Sequence, residues 1–170
     1  PYFKKWLRGE TDFPTYLSSV ARQQYLYPVG KQKVRFLDNH DQQRIRALLA
    51  ETQQQDLLIP LTIWTYLQAG VTLIYSGDEC QVLETPDLFN KTTIDWDAYD
   101  ETYAQLLKKL DAIKKLDILD NMHYLVHETY ADHTIACASY VATDNDQQLV
   151  TQRLYILVNM STTEQTITLL

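Results

Sequence analysis

The sequence predicts an α/β unit followed by a small antiparallel β domain. Two observations support this prediction. Between residues 34 and 75 a short strand, a helix and a second short strand follow one another, as in a βαβ unit with a parallel sheet. Beyond about Ile118 the apolar residues recur at every second position, as they do in antiparallel strands. We therefore expect two domains, residues 1–118 and residues 119–170.

The first predicted elements are a helix and a short strand. Apolar residues at helical spacing predict a helix from about Tyr16 to Tyr27, ended by the turn-forming residues Pro28 and Gly30. The segment Val34–Leu37 is short and partly β-branched and aromatic, which predicts a strand. This strand leads directly into the polar tripeptide Asn39-His40-Asp41.

A second helix and a second strand follow. Apolar residues recur at three- and four-residue steps from Leu57 to Leu67, and Gly70 is a predicted C-terminal cap of that helix. Val71–Tyr75 is a nearly continuous apolar run bounded by Ser76-Gly77. Such a run predicts a strand that is buried on both faces of a parallel sheet.

The clearest predicted helix runs from Tyr99 to Ile113. Its acidic residues lie early and its basic residues lie late, an order that suits the helix dipole. Period-two segments then predict strands over His123–Tyr130, Thr134–Val141, Arg153–Val158 and Thr166–Leu170.

The composition excludes several classes of partner. The net charge of -7 and the pI near 5.0 argue against nucleic acid and anionic membranes, because both require a basic face. The longest strongly apolar run, Leu57–Trp64, is far shorter than the roughly 20 residues of a membrane span. The first residues lack an initiator Met and an apolar signal core, so we expect the chain to start inside a longer protein and leave its localisation open.

Cysteine and histidine do not indicate a disulfide framework or a metal site. Cys80 and Cys137 lie in separate predicted units, so we expect two buried free thiols. His123 and His127 are four residues apart in a predicted strand, roughly 13 Å, which is too far to share one ion. With His133, they are predicted to be structural histidines, and we expect no metal or cofactor.

Polar residues follow both predicted strands of the α/β unit. Asn39-His40-Asp41 follows the first strand and Asp78-Glu79 the second. In a (β/α) barrel or a doubly wound sheet, ligands bind at these strand ends, and carboxylate and imidazole groups can hydrogen-bond a polyol. Other interpretations are open at this point: Asp41 as the cap of the following helix, and Asp78-Glu79 as a cap or an ion-paired segment.

Two segments resemble the α-amylase family of glycoside hydrolases. Val34–Ile45 is similar to the family's segment at the seventh barrel strand, with an Asn-His-Asp core and an Arg three residues on. Gly70–Glu79 resembles its eighth strand, although Thr72 stands where the family often has Pro. The resemblance implies the last strands and helices of a (β/α)8 TIM barrel, followed by a small antiparallel β domain of the sandwich type.

The resemblance also implies roles for individual residues. Asp41 matches the third catalytic carboxylate, which binds sugar hydroxyls and stabilises the transition state of a retaining reaction. His40 matches a histidine that binds the same sugar, and Arg44 matches a substrate-site arginine that orients the site less directly. The family's nucleophile and its acid would precede this chain, so the chain alone is expected to be inactive.

We expect an α-glucan or α-glucoside as the substrate and hydrolysis as the reaction. Transglycosylation is the alternative within the same family, and a non-catalytic amylase-like binding domain is the alternative outside enzymes. The complete Asn39-His40-Asp41 favours an enzyme, because a domain that only binds has no need of the transition-state carboxylate. We also expect self-association through the exposed edges of the strands Val34–Leu37 and Val71–Tyr75.

Overall fold

The α/β unit is organised around two short parallel strands. The structure, a computed structural model, describes residues 2–23, 25–26, 31–87, 89–116, 119, 123–144 and 149–168. Strand β1 is Val34–Arg35 and strand β2 is Val71–Thr72, with Val34 opposite Val71. Both are shorter than predicted. The ladder stops because the Tyr75 N–H donates to the Asp78 carboxylate at 3.1 Å, so polar side chains replace the partner strand there.

The exposure of these strands shows that one prediction is wrong. Val34 is 48% exposed and Val71 is 51% exposed, so β2 is not buried on both faces. Among the described residues, each of these strands pairs only with the other, and each therefore has an unpaired edge. The continuous apolar run of Val71–Tyr75 predicts a covering layer that the described residues do not supply.

Two helices precede β1. Helix α1 is Tyr2–Leu7, which the sequence analysis did not predict, and helix α2 is Phe13–Gln23. Helix α2 begins earlier than predicted because the Asp12 carboxylate accepts the Thr15 N–H at 2.8 Å and so caps its first turn. The predicted end of this helix at Pro28 lies outside the described residues.

Helices α3 and α4 connect the two parallel strands. Helix α3 is Ile45–Glu51, which was also not predicted, and α4 is Leu58–Leu67, preceded by a 3₁₀ turn at Gln55–Leu57. The predicted cap at Gly70 is wrong, because α4 ends at Leu67 and its C-cap is Gln68.

Gly70 is needed for a different reason. Its φ is +118°, and a Cβ at this position would lie 2.2 Å from the Lys33 carbonyl oxygen on the neighbouring strand segment. Only a glycine allows the backbone to approach this closely at the entry to β2.

Helix α5, Glu101–Lys114, confirms the predicted helix. Asp100 is its N-cap, and its carboxylate accepts the Tyr103 N–H at 3.0 Å. Among the described residues, no helix is long and apolar enough to cross a membrane.

The C-terminal unit is an antiparallel sheet in the order β3-β4-β5. Strand β3 is His123–His127, β4 is Ile135–Thr143 and β5 is Val150–Asn159. The predicted α/β unit followed by antiparallel strands is therefore confirmed. The predicted strand Thr166–Leu170 is not formed over residues 166–168, and residues 169 and 170 lie outside the described residues.

One apolar core joins the sheet to the helices. Tyr140 of β4 donates its hydroxyl hydrogen to the Leu67 carbonyl at the end of α4, at 2.8 Å, and Trp64 of α4 donates to the Tyr16 hydroxyl at 3.0 Å. The buried cluster includes residues from both sides of position 118, among them Leu61 and Ala138. The division into domains at this position stays a prediction. Cys80 and Cys137 are free and buried, as predicted.

Candidate active site

His40 and Asp41 lie on a tight turn that follows β1. The Asn39 side-chain oxygen accepts the Asp41 N–H at 3.0 Å, and the Asn39 carbonyl accepts the Gln42 N–H at 3.2 Å. An Asn side chain that bonds its own backbone two residues on stabilises such a turn without a partner strand. The local sequence thus forces the two side chains to the end of the strand.

The His40 and Asp41 side chains form an exposed pair. His40 Nε2 lies 3.2 Å from Asp41 Oδ2, and the side chains are 60% and 63% exposed. Together they present an imidazole, which can donate or accept, and a carboxylate, which only accepts. This pair can bind two hydroxyl groups of a polyol that approaches from solvent.

The alternative in which Asp41 caps the following helix is wrong. The N-cap of α3 is Arg44, without a side-chain cap bond. The Ile45 N–H at the start of α3 instead donates to Asp38 Oδ2 at 2.7 Å. The Asp41 carboxylate is therefore not needed to begin the helix.

Arg44 lies beneath the turn and is buried. Its guanidinium donates to the Ser76 carbonyl at 2.7 Å and to Asp78 Oδ1 at 3.3 Å, and it stacks on the Tyr75 ring at 4.3 Å. Asp38 Oδ1 lies 3.6 Å from the same guanidinium nitrogen. A guanidinium in this position is not accessible to a ligand in solvent, and its contacts join the residues after β1 to those after β2.

Asp78 confirms the ion-pair interpretation of the second polar segment. Burial and the nearby charge of Asp38 raise the pKa of the Asp78 carboxyl to about 7, although Arg44 and the Tyr75 N–H act in the opposite direction. Glu79 takes part through its backbone, where its carbonyl accepts the Asp100 N–H at 2.7 Å.

The sequence analysis missed Asp38. This residue is almost completely buried, accepts the Ile45 N–H at the start of α3 and lies next to Arg44. The N-cap preference for aspartate gives no signal here, because Asp38 lies seven residues before the helix N–H that it accepts.

Helix α1 and the residue after it also contact the end of the turn segment, at Gln43. Lys4 Nζ donates to the Gln43 carbonyl at 2.8 Å, and Arg8 donates to the Gln43 side-chain oxygen at 2.9 Å. The segment after His40 and Asp41 is therefore bonded to α1 through Gln43 and to the residues after β2 through Arg44.

The remaining candidates lie elsewhere. His127 of β3 forms a 2.7 Å hydrogen bond with Ser139 of β4, inside the sheet. Among the described residues, no group of three or more histidine, cysteine, aspartate or glutamate side chains could hold a metal ion. A groove of about 240 Å³ lies beside Val34 and Phe36 and is lined also by Tyr2 and Tyr16, while His40 and Asp41 are not among its lining residues.

Comparison with known proteins agrees with this architecture. The family model for the α-amylase catalytic domain matches residues 4–117. A solved α-amylase from Lactobacillus plantarum is 27% identical, with a TM-score of 0.70 over 83% of this chain and 32% of that chain. A solved structure described as a noncanonic maltogenic α-amylase, AmyB from Thermotoga neapolitana, shares the fold at 21% identity, with a TM-score of 0.77 over 94% of this chain and 36% of that chain. The chain thus spans about a third of the length of these structures. No curated protein matches it.

Proposed function

The chain belongs to the α-amylase family of glycoside hydrolases, and we propose that it supplies Asp41 and His40 to the sugar-binding site of an enzyme that cleaves α-glucans or α-glucosides. One observation supports this most: the exposed pair of His40 and Asp41 lies at the carboxyl end of a parallel strand, with Asp78 following the neighbouring strand. Ligands of α/β folds bind at these strand ends.

The proposed chemistry is that of a retaining glycosidase. One carboxylate attacks the anomeric carbon, and a second protonates the leaving oxygen and later activates water. Asp41 is neither of these groups in the proposal. It accepts hydrogen bonds from ring hydroxyls of the sugar at the cleavage point, and these bonds strengthen as the ring flattens toward the oxocarbenium-like transition state. His40 binds the same sugar, and Arg44 acts as a positioning residue beneath them.

The nucleophile and the acid lie in residues that precede this chain in the proposed enzyme. The chain is then the C-terminal part of the catalytic domain: residues 1–118 contain the last strands and helices of a (β/α)8 barrel, and residues 119–170 belong to a β-sandwich-type domain. The exposed outer faces of Val34 and Val71 support this proposal, because a closed barrel would cover them. The chain alone is expected to cleave no glycosidic bond.

Substitution of Asp41 tests the function in the intact enzyme. Asp41→Asn removes the negative charge but keeps the shape, so we expect turnover of maltooligosaccharides to fall roughly a thousandfold, equivalent to about 4 kcal/mol of transition-state stabilisation. His40→Ala should weaken substrate binding and cause a smaller loss. Steady-state kinetics with maltotriose and longer substrates would measure both.

The matched control is Asp132→Asn, an exposed aspartate in the 3₁₀ turn Ala131–His133 of the C-terminal unit. It should leave turnover unchanged. Near-wild-type turnover of Asp41→Asn would reject the proposed role. Transfer of sugar to a second sugar, rather than to water, would identify the product pattern of a transglycosylase.

The unpaired strand edges lead to a proposal about association. The outer edges of β1 and β2 have no strand partner among the described residues, and such edges pair readily with other chains. We expect the isolated chain to self-associate through them. Light scattering at micromolar concentration measures this, and a Val71→Lys substitution on the exposed strand should reduce the average mass. A monodisperse monomer of the unchanged chain would reject the proposal.

A further inference from the structure

Two buried carboxylates share one arginine beneath the His40–Asp41 turn. Arg44 Nη1 lies 3.3 Å from Asp78 Oδ1 and 3.6 Å from Asp38 Oδ1, and the side chains of Arg44 and Asp78 are only 4% and 14% exposed. Two negative groups next to a single positive group leave one charge without a direct partner. Buried charges of this kind are costly, so the arrangement requires an explanation.

The hydrogen bonds around the cluster are incomplete. Asp38 Oδ1 and Arg44 Nε are buried, and neither has a hydrogen-bond partner among the described residues. A proton held between Asp38 and Asp78 would give Asp38 Oδ1 a donor and reduce the pair to a single negative charge, which Arg44 then balances. The raised pKa of Asp78, caused by burial and by Asp38, agrees with this distribution.

Three further titratable groups of the described residues lie close to the cluster, on segments packed around it. Lys4 of α1 interacts with the charge of Asp38, while burial lowers the pKa of its ammonium group. Tyr103 of α5 interacts with both carboxylates, and burial raises the pKa of its phenol to about 12. The Tyr75 ring lies under the Arg44 guanidinium. None of these groups takes the place of Arg44 between the carboxylates.

Residues of the cluster flank the exposed turn at both of its ends. Asp38 directly precedes Asn39, and Arg44 directly follows Gln43, so the two buried residues flank the segment that presents His40 and Asp41. Arg44 donates to the Ser76 carbonyl and to Asp78, which connects the turn to the residues after β2, and Asp78 in turn accepts the Tyr75 N–H within that segment.

From these contacts we propose that Asp38 and Asp78 are positioning residues: they share one proton and the Arg44 guanidinium, and thereby hold the His40–Asp41 turn against the end of β2. The inference rests on the proposed function for the importance of the turn in sugar binding. Its test observes the turn itself and uses no sugar, so failure here and failure of the Asp41→Asn experiment are separate results.

The experiment compares NMR spectra of the full chain in four forms: unchanged, Asp78→Ala, Asp78→Asn and Asp100→Asn. In Asp78→Ala the ring resonances of His40 and the amide resonance of Asp41 should shift, because the link to β2 is lost. Asp78→Asn should restore them, since an amide can donate to Asp38 as the protonated carboxyl does. Asp100→Asn is the matched control, because Asp100 pairs at the same 3.3 Å with Arg46, which lies in α3 rather than in the His40–Asp41 turn.

A pH series provides a second readout that a purely structural role would not change. The Tyr75 N–H donates to Asp78, so its amide resonance should titrate with a midpoint near pH 7 in the unchanged chain and in Asp100→Asn. The titration should disappear in Asp78→Asn.

Three results would overturn the proposal. The first is an unchanged His40 and Asp41 spectrum in a folded Asp78→Ala chain. The second is an equal displacement in Asp78→Asn and Asp78→Ala. The third is the lack of any Tyr75 titration near pH 7 in the unchanged chain, and this result decides if Asp78→Ala does not fold. In that case, loss of the titration in Asp78→Asn, with the turn unmoved, supports the proposal.

Discussion

Arg44 and Arg46 make nearly the same contacts in two different environments. Each lies over a tyrosine ring, at 4.3 Å from Tyr75 and 4.8 Å from Tyr103, and each has a nitrogen 3.3 Å from an aspartate oxygen. Arg44 is buried between two carboxylates. Arg46 is partly exposed and has one carboxylate, that of Asp100.

The difference shows that burial, rather than distance, determines what an ion pair does. The Arg46–Asp100 pair links α3 to the start of α5, and water screens both charges. The Arg44 cluster links the residues after β1 to those after β2 in a largely buried region, so each of its members depends on the others. The first pair contributes modestly to stability, whereas the second cluster controls the position of a candidate site.

Removal of the guanidinium should give the largest difference between the two arginines in the free energy of unfolding. Arg44→Ala leaves the negative charge shared by Asp38 and Asp78 buried without a counterion, and breaking a buried pair in this way costs about 3–5 kcal/mol. Arg46→Ala removes a partly exposed pair and a ring contact, which together contribute about 1 kcal/mol. Urea denaturation followed by circular dichroism measures both. Equal losses for the two variants would show that the burial of Arg44 has no energetic consequence.

The second-largest difference should be the pH dependence of stability in variants of Asp78 and Asp100, the aspartates paired with the two arginines. The pKa of Asp78 is raised in the folded chain from an ordinary value of 3.8 to about 7, so the folded state holds a proton that the unfolded state releases in that interval. Its contribution is therefore fully present below about pH 4 and is lost as the pH rises through 7. Asp78→Asn should remove this loss.

Asp100→Asn provides the comparison, because an Asn still caps α5 and only the exposed pair changes. The free energy of unfolding of Asp100→Asn between pH 4 and 8 should run parallel to that of the unchanged chain. A parallel curve for Asp78→Asn as well would mean that Asp78 does not hold the proton.

Replacement of arginine by lysine should give the smallest effects. A lysine keeps the charge but loses the planar fork, so Arg44→Lys cannot bond the Ser76 carbonyl and both carboxylates at once. We expect a loss of about 1–2 kcal/mol, as for a charge-assisted hydrogen bond. Arg46→Lys, with one carboxylate to reach, should lose less than about 0.5 kcal/mol. Thermal unfolding resolves this difference, and a larger loss at Arg46 would reverse the comparison.

Most of the element order was predictable, while the lengths and some elements were not. The helix α5 was predicted because its stripe, its cap and its charges are all local. Helices α1 and α3 were missed because they are short, with six and seven residues, and much of their support comes from tertiary contacts. The role of Gly70 was also not visible, because the carbonyl that requires a glycine belongs to Lys33 on another segment.

The sequence by itself determined the local features of the candidate site. The Asn39 side chain shapes the turn through bonds to its own backbone, so His40 and Asp41 are presented to solvent by residues adjacent in the chain. The order of the two motifs is also local to the sequence, and the match to the α-amylase catalytic domain extends over residues 4–117. The tertiary structure alone decided which charges support the turn. Asp78 lies 34 residues from Arg44 in the chain and meets it only because β1 and β2 pair in parallel, and the burial that alters its pKa exists only after the helices pack.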